Sequence, residues 1–214
     1  MAIITRSAPR GAAAVLTANV SDMLRAKHTP TGMKREMHPE ALSHTEPHPV
    51  YVATLDDLAA GKLLANAQQT AWRYLLVQHD EVVAEAEITA GHGGAKGAKS
   101  GKRKNLEFAG MTHGPFADAT IDGLHIAEAL PETARADYEL RLLKVPAVYL
   151  VALWLHRADD DILIPIGQPP TGLRKNKAYT EAGIIRALRA TAERTKAFHE
   201  AYETNRRKRR PRKR

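Results

Sequence analysis

Apolar positions recur with a helical period near the start of the chain. Leu16, Val20, Met23 and Leu24 share one face of residues 8–27, Ser7 stands where a cap is needed, and Pro9 falls in the first turn. This predicts a helix that stops before Thr29-Pro30. Residues 28–50 carry Pro30, Pro39, Pro47 and Pro49 with few apolar side chains, the pattern of an extended connector. From Thr54 to about Ala67, Leu55, Leu58, Leu63 and Leu64 predict a second helix, with Thr54 as cap and Asp56 and Asp57 in its first turn.

The period then drops to two. Trp72–Gln78 and Val82–Ile88 read as a hairpin turning at His79, Asp80 and Glu81; Val82, Ala84, Ala86 and Ile88 alternate with Val83, Glu85 and Glu87. Residues 90–104 hold glycines and cations and no core residues, so a mobile loop is expected. Between 105 and 136, Gly110, Gly114, Pro115, Gly123 and Pro131 interrupt every pattern. Tyr138–Lys144 alternates again, Ala147–Leu155 is apolar on both faces as a central strand is, and Ile162–Ile166 follows the turn Asp159–Asp161. Pro165 places that last strand at an edge or an end. Thr180 caps a final helix whose stripe is Ile184, Leu188, Thr191, Thr195, Phe198 and Tyr202.

Together these elements predict an α+β fold: a mainly antiparallel sheet of about five strands covered by helices, with a long C-terminal helix ending in a basic tail. The expected organisation is an N-terminal helix and connector arm over 1–50, a globular domain over 51–205 that includes the 90–104 loop, and a tail over 206–214.

Composition adds an aliphatic core, since 43% of residues are apolar and only 5% aromatic. Cysteine is absent, which removes disulfides, thiolate metal sites and cysteine nucleophiles and fits a reducing, cytoplasmic setting. The alanine-rich, arginine-biased usage points to a bacterial source. The longest apolar run, Val145–Leu155, is far short of the roughly 20 residues a membrane helix needs, so no transmembrane segment is expected. Arg6 and Arg10 precede an apolar stretch from Gly11 to Leu16, but Thr17 and Asn19 dilute it, and an amphipathic helix explains it better than a targeting peptide.

Charge changes the picture most. The chain has 32 basic and 24 acidic residues; eight of the bases and none of the acids lie in 206–214, so the rest of the chain is formally neutral. A second acid-free stretch holds Lys96, Lys99, Lys102, Arg103 and Lys104. Clustered like charge of this kind is an interaction element for polyanions. Arginine dominates the tail, and its planar fork matches phosphate.

Other motifs fail their own spacing rules. Gly101-Lys102 would need glycine at 96 and a hydroxyl at 103 to cradle a phosphate; Lys96 and Arg103 occupy those places. His28, His38, His44 and His48 match no ligand spacing and read as an exposed polar connector. Asp159–Asp161 reads as a turn, Glu85 and Glu87 as a solvated sheet face, and His113 and His156 as lone histidines. Asp137, Glu139 and Arg141 alternate along one strand face, a row a magnesium nuclease can use, but the lysine that usually accompanies such carboxylates is not at the expected place.

The reading that follows is a non-catalytic or accessory binding protein that engages nucleic acid or another polyanion. Its expected phosphate contacts are Arg206, Arg207, Lys208, Arg209, Arg210, Arg212, Lys213 and Arg214, with Lys102, Arg103 and Lys104 second. No cofactor or metal is expected. The alternatives are an enzyme of unassigned class, a metal-dependent one acting on nucleic acid among them, with Asp118, Asp122, His113 and Glu139 of 105–140 in its site, or an assembly protein docking its tail on an acidic partner.

Overall fold

The computed structural model describes residues 2–26, 36–90 and 106–209, with side chains as far as Tyr202. Its centre is one mixed sheet of nine strands: β1 (Ile3–Ile4), β2 (Leu42–His44), β3 (His48–Val52), β4 (Gln68–Gln78), β5 (Glu81–Ala90), β6 (Leu106–His113), β7 (Tyr138–Val145), β8 (Leu150–His156) and β9 (Ile162–Pro165). The order across it is β6-β5-β4-β3-β7-β8-β9. The helices are α1 (Ala12–Arg25), α2 (Leu55–Ala59), α3 (Pro115–Glu128) and α4 (Glu181–Arg209).

The expected sheet of about five mainly antiparallel strands is thus corrected to nine strands with parallel pairs at its centre. Both β1 and β3 run parallel to β7. The additional strands come from segments whose patterns hide them. β2 and β3 arise from the proline-bearing stretch: Pro47 and Pro49 are buried, and extended geometry is what proline enforces. β6 comes from the region broken by glycine, where Gly110 takes φ 152° beside a register shift at Glu87/Ile88 and upsets the alternation.

The row held by β3 continues as two separate short strands. β2 follows the end of β4 at Leu76–Gln78, and β1 follows the start of β7 at Tyr138–Glu139. The β4–β5 hairpin turns on His79 and Asp80, both with positive φ (52° and 62°), the geometry of a two-residue hairpin loop.

Each face of the sheet is covered differently. On one face α1 buries Leu16, Val20 and Leu24 against Tyr74, Leu76, Ala84, Ala86 and Ile88. Further along that face α4 and α2 bury Ile184, Leu188 and Leu58 with Leu143, Ala152, Trp154 and Leu163. On the other face α3 packs Ala119 and Ala127 with Leu142, Leu153 and Ile164. A Cβ at Gly123 would lie 2.7 Å from Ile166 Cγ2 and 2.9 Å from Leu153 Cδ1, so α3 settles this closely only because that residue is glycine.

Helix bounds also shift from expectation. α1 begins at Ala12 behind Gly11 (φ 92°), not behind Ser7. α2 keeps its expected cap, Thr54, in a reciprocal box with Asp57, but ends at Ala59. Among the described residues, no helix is long and apolar enough to cross a membrane.

Candidate functional site

The expected phosphate contacts fall at the margins of the described chain. Lys102, Arg103 and Lys104, with the rest of residues 91–105, and Arg210, Arg212, Lys213 and Arg214 lie outside the described residues. Arg206, Arg207, Lys208 and Arg209 are the last residues of the α4 backbone. α4 starts well anchored: the Thr180 hydroxyl accepts from Gly183 N at 3.2 Å, and Ile184, Leu188 and Ala192 are buried. Lys196 Nζ donates to Asp56 Oδ1 at 2.9 Å. From Lys196 to Tyr202 every residue is exposed, Phe198 and Tyr202 among them at 69% and 59%. The heptad-like stripe therefore packs only through its first half.

Beneath α3 lies a network for which sequence gave no hint. Arg73 has no exposed surface, yet it carries a charge in the interior. Its guanidinium is satisfied on three sides: Nε donates to His48 Nε2 at 2.8 Å, Nη1 to Glu85 Oε2 at 2.8 Å and Nη2 to the Thr120 hydroxyl at 3.0 Å. An Arg N–H is always a donor, so His48 accepts at Nε2 and is the neutral tautomer. Burial, then the Arg73 charge, holds the His48 pKa well below its ordinary value. Burial pushes Glu85 up, with Arg73 opposing it. Glu87 pairs with Lys144 at the rim.

Two expectations are corrected here. Glu85 is buried and paired instead of sitting on a solvated face, and His48 is buried instead of lying in an exposed connector. The reason is cross-strand register, which sets Arg73 opposite both His48 and Glu87. With its donors met from within, this network ties β3, β4, β5 and α3 together.

The opposite face carries a different polar patch. Glu139 and His156 are direct cross-strand partners on β7 and β8, and Arg141 faces Trp154 one step along. Arg141 Nε and Nη2 donate to the two Glu139 oxygens, each at 3.0 Å. The guanidinium lies over Tyr51 at 4.9 Å and over Trp154 at 4.7 Å, so two aromatic rings fix its plane. Asp161 Oδ1 accepts from Trp154 Nε1 and meets His156 Nδ1, both at 2.7 Å. A carboxylate only accepts, so His156 carries a proton on Nδ1 and turns Nε2 outward from that contact. The side chains of Glu139, His156 and Asp161 keep 20%, 30% and 28% of their surface exposed.

Burial tends to raise Glu139, but the Arg141 hydrogen bonds and charge, with Arg6 and His156, outweigh it and leave its carboxyl below the ordinary range. Arg141 Nη1 and His156 Nε2 have no hydrogen-bond partner among the described residues. The patch thus sets a carboxylate and an imidazole on paired strands beside a guanidinium that is itself only 11% exposed.

His156 was expected to be lone, and the Asp159–Asp161 turn to be only a turn. The one signal available was that β8 and β9 read as neighbouring strands, which brings Asp161 back beside His156. The residues weighed for an enzyme in 105–140 are not brought together by any hydrogen bond among the described residues. Asp118 is exposed, Asp122 pairs with Lys175 at 2.9 Å, and His113 has a buried Nδ1 without a partner. Only Glu139 enters the patch, and its companions come from beyond 140. Among the described residues no three histidines or carboxylates are placed to hold a metal ion. No protein-family model matches the chain, and no curated protein or solved structure matches it either.

Proposed function

We propose that the protein is an accessory binding module that engages nucleic acid or another polyanion through its C-terminal cations. One observation carries this reading: the entire excess of +8 lies on residues 206–214, and they begin on a helix whose side chains are exposed from Lys196 to Tyr202. A helix-dipole role does not explain the cluster, because that effect fades within the last turn. Cations set beyond the packed half of α4 meet a phosphate backbone without the body having to move. The contact is electrostatic, indifferent to sequence and released by salt.

The test is binding of single- and double-stranded nucleic acid across a salt series. With six cations engaged, log affinity falls against log salt with a slope of roughly −4 to −5. Deleting 206–214 lowers affinity by orders of magnitude at low salt and flattens that slope. An affinity and slope unchanged by the deletion would overturn the reading.

A further inference from the structure

We propose that the patch of Glu139, Arg141, His156 and Asp161 is a catalytic site that cleaves single-stranded RNA by general acid–base transesterification. The choice of RNA as substrate rests on the polyanion reading above; the chemistry rests on the patch itself.

Four features of the patch meet the needs of that reaction. A base must stand across the scissile phosphate from an acid, and Glu139 and His156 face each other on adjacent strands. The acid must present a ring nitrogen to the leaving group, and the Asp161 carboxylate 2.7 Å from Nδ1 fixes the His156 ring so that Nε2 faces away from that contact. The base must be ionised, and Glu139 is held so beside Arg141. Negative charge growing on the phosphoryl oxygens needs a fixed donor, and Arg141 Nη1 is that donor, oriented by Glu139 and by the rings of Tyr51 and Trp154.

RNA brings its own nucleophile, the 2′-hydroxyl, so no second reactant is required. Glu139 accepts the 2′-hydroxyl proton as the 2′-oxygen bonds to phosphorus. The bond from phosphorus to the 5′-oxygen breaks, and that oxygen takes the proton from His156 Nε2. The products are a 2′,3′-cyclic phosphate and a 5′-hydroxyl, with Glu139 left protonated and His156 neutral. Water adding to the cyclic phosphate, with the two roles exchanged, returns both groups to their starting states.

The experiment incubates the full chain with a fluorescently labelled, mixed-sequence single-stranded RNA in the presence of a chelator. Matched DNA and 2′-O-methyl RNA serve as controls, and filter retention of the same RNA reports binding separately. The expected result is cleavage of RNA alone, with cyclic-phosphate ends. His156→Ala, His156→Gln and Glu139→Gln should each slow it by about 100-fold or more. Three results would overturn the proposal: intact RNA with the unaltered chain, equal cleavage of the 2′-O-methyl control, or undiminished cleavage by the His156 variants. The comparison of RNA with its 2′-O-methyl form uses the unaltered chain, so it decides the matter even where a variant misfolds. RNA retained with a steep salt dependence but left intact sinks this inference and spares the polyanion reading. Cleavage without tail-dependent retention does the reverse.

Discussion

Arg73 is the residue whose loss the interior tolerates least. Its guanidinium answers His48, Glu85 and Thr120 at once, with no water-facing surface to fall back on. Arg73→Met leaves a buried carboxylate and a buried imidazole without their donor. A loss of about 3–5 kcal/mol is expected in the denaturant midpoint analysis. Adding Glu85→Leu to Arg73→Met restores part of it, because the second change removes the stranded charge.

His48 gives the molecule a pH dependence of definite sign. Folded, its pKa lies well below the ordinary value of 6.5; unfolded, it returns to that value. The unfolded chain therefore binds a proton that the folded chain refuses. The stabilisation is complete above pH 6.5 and drains away as pH falls from there toward the depressed folded value. Stability measured from pH 7.5 downward, compared between the unaltered chain and His48→Gln, isolates this contribution: the difference between the two shrinks as acid is added.

At the scale of elements, α2 shows a local signal and its limit side by side. Thr54 caps the helix as the sequence suggests, and Asp57 completes a reciprocal box that it does not, with Asp57 N to Thr54 Oγ1 at 3.1 Å and Thr54 N to Asp57 Oδ2 at 2.9 Å. Thr54→Ala is expected to cost about 1 kcal/mol, read as a lowered thermal midpoint. The far end of α2 was not legible: Gly61 takes φ 71°, and Leu63 and Leu64 are buried outside any helix.

The same contrast runs through the fold. The β4–β5 hairpin, the Tyr138–Val145 strand and the cap of α4 are written in neighbouring residues, so period and capping reveal them. β3 is extended because of its prolines but becomes a strand because β4 and β7 flank it, and both partners are distant in sequence. The patch was half legible. Glu139 and Arg141 share a strand face by alternation alone, while His156 and Asp161 join them only through pairing of β7, β8 and β9.

On the scale of the whole molecule, charge and packing are divided between two ends of α4. Its first half holds the core against β8 and β9; its last 206–209 segment begins the cation run. The buried residues of α4 among those described are Ile184, Leu188 and Ala192, all far ahead of 206, so the melting temperature of a chain lacking 206–214 is expected to match that of the full chain.

The α4 backbone from Ala197 to Arg209 rises about 20 Å by helical pitch. That distance sets a footprint. A dinucleotide is shorter than that rise and meets only part of the cation run. A longer strand engages more of it, so dependence on residues 206–214 should grow with the length of the strand offered.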